Sequence, residues 1–324
     1  MVPRVSVIVA TFNYAQFLVD ALDSVVKQTA SDWECVVVDD GSTDNTPAIA
    51  EEWSLEDPRI RYVRQKNRGP SAAYNTGLRH ANGEYVQFLD ADDRLATTKV
   101  ETQARYLDEH QEVDIVYGPV GFFRSEEPEK ILHSLHGHLS RPLMPHVSSG
   151  ADALRLLQMF NIMPNVAALV RKSAAQRAGG FNERTRSSED WDFWLRCATS
   201  RSEFHYLDSS APVALVRTHP RSASRSIDWM LRGQISAAQT WDRQPVPLVY
   251  RMAIGIDDVE HGRRRSGIRR IAAAAREARS TLVRMRWLAY AAAAAVLPRK
   301  AFTWFVTRPI PERAFELARR LRLQ

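Results

Sequence analysis

The first hundred residues switch repeatedly between two periodicities, and that alternation constrains the fold more than any other feature of the chain. RVSVIVA (4–10) is a β-branched run with the character of a strand buried on both faces. AQFLVDALDSVVKQ (15–28) then sets apolar residues at 17, 18, 21, 22, 25 and 26, one face of a helix. The pattern repeats, with DWECVVVDD (32–40) as strand and TDNTPAIAEEWSLE (43–56) as a capped helix with an early proline. RIRYVRQ (59–65) reads as strand, PSAAYNTGLRHA (70–81) as helix and GEYVQFLD (83–90) as strand. Strands alternating with helices predict an α/β fold with a doubly wound, mostly parallel sheet. Such sheets bind ligands outside the carboxyl ends of their strands. Here those ends read ATFN, DDGS, QKNRG and DADD, all polar or turn-like and two of them acidic.

After residue 110 the pattern loosens. EVDIVYGPVGFF (112–123) and NVAALVRK (165–172) read as strands, 173–178 as a short helix, and EDWDFWLRCAT (189–199) as an amphipathic helix. The segment 124–150 is loop-like, and APVALVRTHPRSAS (211–224) is a strand leading into a polar loop. From about 226 onward helix formers dominate without a strand pattern, which sets a boundary near 225. No stretch reaches 18 uninterrupted apolar residues, and the N-terminus does not look like a signal peptide. Cys35 and Cys197 lack C-x-x-C spacing and read as buried apolar residues of a reducing compartment. The expected location is the cytosol, or the cytosolic face of a membrane.

Charge divides the chain unevenly. Residues 261–324 carry 16 Lys/Arg against three Glu, whereas residues 1–260 carry 28 Lys/Arg against 35 Asp/Glu. The basic tail contains an apolar run of 11 residues (287–297), then Pro298-Arg299-Lys300 and the aromatic residues Phe302, Trp304 and Phe305. One reading is an interfacial helix that approaches anionic lipid. The other is a helical subdomain packing its Ala-rich face on the catalytic domain. No nucleic-acid-binding fold accompanies the charge, so nucleic acid is not an expected partner.

The acidic strand ends carry the chemistry. Asp39 or Asp40, before Gly-Ser-Thr, offers a carboxylate beside a turn that can accept an N–H from a nucleobase edge. Asp90 and Asp92 form a D-x-D pair able to hold a hard divalent cation. A cation there could bridge a diphosphate and neutralise a departing group. Aspartate also favours turns and helix N-termini, but two acidic motifs at strand ends of one sheet favour a site. His133, His136 and His138 resemble a metal cluster in composition; they have no carboxylate support and read as incidental.

In order along the chain, VSVIVATFNYAQFLVDALDSVVKQ, VVVDDGSTDNT, NRGPSAAYNTGLRHANGEYVQFLDADD, GGFNE and SEDWDFWLR resemble glycosyltransferase family 2, with its nucleotide-sugar-binding GT-A fold, over about residues 3–220. The resemblance implies a catalytic domain over 1–225, with a nucleotide-binding half (1–110) and an acceptor half (111–225), and a basic helical extension over 226–324. It implies that Ala10, Thr11, Phe12 and Asn13 line the nucleoside pocket, with Phe12 beside the base and Asp40 accepting uracil N3–H. Asn67, Arg68, Gly69 and Asn75 would border the donor nucleotide. Asp90 and Asp92 would act around ribose, metal and diphosphate, with Asp92 the direct ligand of Mg²⁺ or Mn²⁺. His219 matches a late histidine of some members that reaches the metal or diphosphate.

By the same resemblance Asp190 is the general base and Glu189 its competitor. The residues alone also allow an acidic first helical turn capped by Ser187 or Ser188. Asp192 is expected to face solvent or cap, Asp93 to cap or border the following helix, and Trp191 and Trp194 to be core or acceptor-site wall. The implied activity is inverting transfer of a sugar from a UDP- or dTDP-type donor to a hydroxyl of a glycan or lipid-linked glycan, in bacterial-type cell-surface polysaccharide synthesis. A nucleotidyltransferase should carry a Gly-rich phosphate loop after its first strand, and ATFNYAQF has no glycine. A non-catalytic nucleotide-sugar-binding protein would be favoured by loss of Asp92 or Asp190, and both are present.

Overall fold

The computed structural model describes residues 2–133, 145–185, 187–219, 222, 227–241, 243, 246–278 and 281–306. His136 and His138 lie outside them, and so do residues 307–324 of the basic tail. Two compact units are present. One comprises Met1–Arg155, Asn161–Glu183 and Glu189–Ser222; the other comprises Leu156–Phe160, Arg184–Ser188 and Ala223–Gln324.

The first unit opens with the expected alternation: β1 (Val5–Thr11), α1 (Ala15–Val26), β2 (Trp33–Asp39), α2 (Thr46–Glu56), β3 (Ile60–Arg64), α3 (Pro70–His80) and β4 (Tyr85–Asp90). β1 is central and pairs in parallel with both β2 and β4, and β3 adds in parallel to β2. Every residue of β2 is buried, as a strand covered on both faces requires. Gly77 lets α3 lie directly on β1, since a Cβ there would meet Ile8 Cγ2 at 2.1 Å.

β5 (Arg94–Leu95) and α4 (Lys99–Glu109) follow. The 112–123 segment is two strands, not one: β6 (Ile115–Tyr117) and β7 (Val120–Arg124) belong to different sheets. Gly118-Pro119 separates them; proline has no N–H for a ladder and restricts the residue before it. Part of the segment expected as loop forms β8 (Glu127–Leu132). After α5 (Gly150–Leu157), a 3₁₀ turn at Asn165–Ala167 precedes β9 (Ala168–Arg171), then α6 (Lys172–Ala178), α7 (Glu189–Thr199), β10 (Phe204–Tyr206) and β11 (Ala214–Thr218). Among the described residues the main sheet has the order β10-β6-β9-β4-β1-β2-β3, with β9 its antiparallel member. The smaller sheet is β5-β11-β7-β8.

Two buried clusters support the end of β4. Tyr74, Phe88, Phe181 and Phe193 stack and cross at ring separations of 4.2–5.5 Å. On the other side, the Lys99 ammonium donates to the Gln87 and Gln103 side-chain oxygens. Burial without a carboxylate partner pushes the Lys99 pKa well below the lysine range.

The second unit is helical: α8 (Ile227–Gln239), α9 (Leu248–Glu260), α10 (Arg264–Glu277), α11 (Thr281–Val296) and α12 (Arg299–Val306). Asp258 joins α9 to α10 by accepting from Arg263 Nε (2.6 Å), Ser266 Oγ (2.9 Å) and Arg270 Nε (3.0 Å). No helix of the described residues is long and apolar enough to cross a membrane.

Candidate active site

At the carboxyl end of the parallel strands, register places Ala10 opposite Val38 on one side and Asp90 on the other. The β1 end is fastened to the loop after β2 by Asn13, held at φ 56°. Its side-chain oxygen accepts from the backbone N–H of Thr43 (2.8 Å) and Asp44 (3.3 Å), and its own N–H donates to Ser42 Oγ (2.9 Å). Phe12 stands 42% exposed beside it, and the Thr11 hydroxyl is buried with no partner among the described residues.

The two aspartates of VVVDD separate cleanly. Asp39 is internal, accepting from Ser42 N–H (2.8 Å) and Tyr62 O–H (2.9 Å). Asp40 accepts from Gly69 N–H (2.7 Å), Arg68 N–H (2.9 Å) and Gln65 Nε2 (2.7 Å). A carboxylate has about four acceptor positions, so the chain occupies three and leaves room for one further donor. Asp40 thereby shapes the Asn67–Gly69 loop that leads into α3. Gly69 adopts φ 91°, ψ 167°, a conformation reserved for glycine. Asn75, on α3, spends its amide on the Gly-Gly-Phe turn, accepting from Phe181 N–H (2.8 Å) and donating to Phe181 C=O (2.9 Å) and Glu183 (3.0 Å).

At the end of β4 the three carboxylates have different surroundings. Asp90 accepts from Tyr74 O–H at 2.6 Å, and burial with the neighbouring Asp92 and Asp190 charges pushes its carboxyl up to about 7. Asp92 Oδ2 lies 3.1 Å from His219 Nε2, whose ring packs on Phe17 (centroids 4.9 Å apart). Asp93 does not cap a helix. It is buried and accepts from the Arg217 backbone N–H (2.9 Å), because β5 rather than a helix follows the turn. Burial and the Asp92 and Asp90 charges hold its carboxyl well above the usual range.

Arg217 is the cation beneath this turn. Its guanidinium donates through Nε to the Asp92 carbonyl (2.8 Å) and through a terminal nitrogen to Asp20 (2.6 Å), and lies over the rings of Phe17 and Phe123. Arg217, within β11, and His219, one residue beyond its end, reach the same acidic segment.

Glu189 and Asp190 begin α7, where the helix dipole favours negative charge. Asp190 accepts from Asn161 Nδ2 (2.7 Å) and Trp191 N–H (2.7 Å), yet burial still raises its carboxyl. Burial, then the Asp190 and Asp90 charges, push Glu189 up to about 8. The start of α7 and the end of β4 lie close enough for Asp90 and the Glu189–Asp190 pair to raise one another's carboxyls. Asp192 is not solvent-facing: it is buried and accepts from Arg196 Nε at 2.7 Å, the pair sitting one helical turn apart. Trp194 is core, donating to the Met163 carbonyl.

Sequence reading missed Tyr74, Asn161 and Arg217. For Arg217 a signal existed, its place two residues before His219 at the end of β11; Tyr74 and Asn161 had none.

Among the described residues no group of three or more His, Cys, Asp or Glu side chains converges as a complete metal cage. What converges is a carboxylate and an imidazole, Asp92 and His219, beside Asp90. That donor set fits a Mg²⁺- or Mn²⁺-type ion, which commonly takes one or two protein carboxylates and completes its shell with substrate phosphates and water. His133 joins none of this.

A mostly parallel α/β sheet with a hard-donor pair and a second carboxylate pair at its strand ends defines the class, and the comparisons give the family. The glycosyl transferase family 2 profile matches residues 6–179, and the chain belongs to that family. An uncharacterized glycosyltransferase of Rickettsia felis is 32% identical over 202 residues, covering 61% of this chain and 31% of the relative. The chain thus spans about a third of the length of the first curated relatives it matches. S. aureus TarS (residues 1–349), solved with UDP-GlcNAc, has a TM-score of 0.62 at 18% identity, covering 92% of this chain and 90% of that one. The mannosyltransferase PcManGT of Pyrobaculum calidifontis, solved with GDP-Man and Mn²⁺, has a TM-score of 0.53 at 21% identity, covering 95% and 84%. Both share the GT-A fold with this chain.

Proposed function

We propose that the protein is an inverting glycosyltransferase that moves a sugar from a nucleotide-sugar donor to a hydroxyl acceptor. The observation that carries this reading is the meeting of Asp90, Asp92 and His219 with Glu189 and Asp190 at one end of the parallel sheet. Asp92 and His219, with Asp90, would hold a Mg²⁺ or Mn²⁺ ion, which when bound neutralises charge on the diphosphate. Ala10, Thr11, Phe12 and Asn13 form the nucleoside end of the site. The remaining acceptor position of Asp40 suits a base N–H such as N3–H of uracil or thymine, which favours UDP or dTDP donors. TarS with UDP-GlcNAc supports a uridine donor, and PcManGT with GDP-Man keeps guanosine as an outcome of the donor screen.

Asp190 takes the acceptor hydroxyl proton, and Asn161 and the Trp191 N–H orient it for that role. One base opposite the leaving diphosphate suits a single in-line displacement with inversion. Glu189, pushed up to about 8, is the less suited base at neutral pH. Residues 1–225 form the catalytic domain in this reading, and the basic helical region 226–324 faces an anionic membrane on its cytoplasmic side. The acceptor is a glycan or lipid-linked glycan of cell-surface polysaccharide synthesis.

The test is transfer and donor hydrolysis with a panel of UDP, dTDP and GDP sugars, with and without Mg²⁺ or Mn²⁺. A single accepted donor class, dependence on the cation and anomeric inversion in the product support the reading. Transfer that survives in Asp92→Ala and Asp190→Asn would overturn it.

A further inference from the structure

α11 has two faces of opposite fate and one chemistry. Trp287, Tyr290, Ala291, Ala293 and Ala294 are buried within the helical unit. Met285, Leu288, Ala289, Ala292, Ala295 and Val296 are exposed, Met285 at 64%, Leu288 at 43% and Val296 at 77%. Their spacing puts them on one side of the helix, a stripe about 17 Å long at ~1.5 Å per residue. A helix lying on a soluble protein normally carries polar residues on its outer side. Here every exposed position from Met285 to Val296 is apolar.

Cations bracket the stripe. Arg284 precedes it, and Arg299 and Lys300 follow it at the start of α12, all three exposed. Residues 278–306 contain five Lys/Arg and no Asp or Glu. On α10, Arg265, Arg269 and Arg276 share one exposed side and have no ion-pair partner among the described residues. Two neighbouring carboxylates are engaged elsewhere, Glu277 with Arg251 and Asp258 with Arg263 and Arg270.

We propose that this outer face of α11 docks on an anionic lipid bilayer, the helix lying in the plane of the interface with Leu288 and Val296 among the acyl chains. The inference rests on the membrane-facing reading of region 226–324 and gives that contact a surface. An apolar stripe with arginine and lysine at both ends matches lipid, whose phosphates sit beside hydrocarbon. A second copy of the chain would bring the same cations to the same place, and like charges would meet. The helix carries its apolar residues on both sides but is too short to span, which leaves an in-plane position.

The experiment is co-sedimentation of the full chain with phosphatidylcholine vesicles, with and without phosphatidylglycerol. Wild type is expected to pellet only with phosphatidylglycerol present. Leu288→Glu with Val296→Glu is expected to lower the vesicle affinity by about tenfold or more. Arg299→Ala with Lys300→Ala should lower it by roughly fivefold per cation, with a weaker salt dependence. All four positions are exposed, and an unchanged melting temperature and unchanged transfer to a soluble acceptor would confirm intact variants. Equal vesicle binding by the Glu variants would overturn the assignment to α11 while leaving the membrane reading standing. No vesicle binding by wild type would overturn both. A wild-type dimer in light scattering that Leu288→Glu dissociates would assign the face to a second copy and overturn the inference.

Discussion

Arg217 Nε donates to the backbone carbonyl of Asp92 at 2.8 Å, across 125 residues of sequence. The same guanidinium bonds Asp20, and the Arg217 backbone N–H bonds Asp93. Arg217 thus holds the turn that carries Asp92 and Asp93, and its charge lowers the Asp93 carboxyl against the burial and like charges that raise it.

Replacing Arg217 separates position from charge. Arg217→Met removes the cation from a buried network and is expected to destabilise the fold by about 3–5 kcal/mol in a urea melt. Arg217→Lys keeps the charge but not the planar fork that reaches Asp20 and the Asp92 carbonyl together. It is expected to fold and to bind Mn²⁺ with UDP about 10- to 100-fold more weakly, as loss of a supporting contact to a metal ligand usually does. Titration of Mn²⁺ by its paramagnetic signal measures this directly, without turnover. Wild-type affinity in Arg217→Lys would show that Asp92 is oriented by His219 alone.

Asp190→Asn preserves size and can still pair with Asn161, so its expected defect is in turnover and not in donor binding. Loss of a general base should slow transfer by about 10²–10⁴-fold. Glu189→Gln should slow it less, since that carboxyl is pushed up to about 8 and is mostly neutral at pH 7. Single-turnover rates beside UDP affinity by calorimetry distinguish the two. A larger defect in Glu189→Gln would exchange their roles.

β1 and β2 were legible because strands buried on both faces are written as β-branched runs, and β3 and β4 by their alternation with helical stretches. The switch between β6 and β7 was written in Gly118-Pro119, but a turn signal does not say which sheet the next strand joins. β9 runs antiparallel to β4 and β6, and nothing local in ALVR encodes a direction. At the site, Asp90, Asp92, Asp190 and His219 were legible as residue types at strand or helix ends. Their supports were not: Tyr74 looks like any core aromatic, and Asn161 meets Asp190 only after the chain has folded. Asp40 and Asn75 show the converse, since much of their hydrogen bonding holds loops of their own chain.

Asp40 gives a test of that scaffolding role. Asp40→Ala strips the acceptor from the Arg68 and Gly69 N–H groups and from Gln65, and should destabilise the unit by about 2–3 kcal/mol. Gly69→Ala probes the same loop without touching a contact, since nothing lies within 4 Å of the new Cβ. Its expected effect is backbone strain alone, about 1–3 kcal/mol. Both are read from denaturant midpoints, and if this loop borders the nucleotide as proposed, UDP affinity should fall in each as it loses its shape. An unchanged midpoint in Gly69→Ala would mean the loop relaxes freely.

The acidic site also sets how stability depends on pH in the absence of metal. Glu189 is raised from an ordinary 4.5 to about 8 and Asp90 from 3.8 to about 7, so the folded chain binds more protons than the unfolded chain between those values. Stability must then fall as pH rises through that window: the contribution is fully present below about 4 and lost above about 8. With EDTA present, the melting temperature of wild type is expected to drop across this range more steeply than that of Glu189→Gln, which cannot ionise. A divalent cation held as proposed would reverse the balance, because it would require Asp90 and Asp92 as carboxylates, so stabilisation by Mn²⁺ with UDP should grow as pH rises through about 7. Parallel pH profiles for wild type and Glu189→Gln under EDTA would remove Glu189 as a source of that slope. Stabilisation by Mn²⁺ that does not change with pH would mean that Asp90 is already ionised before the ion binds.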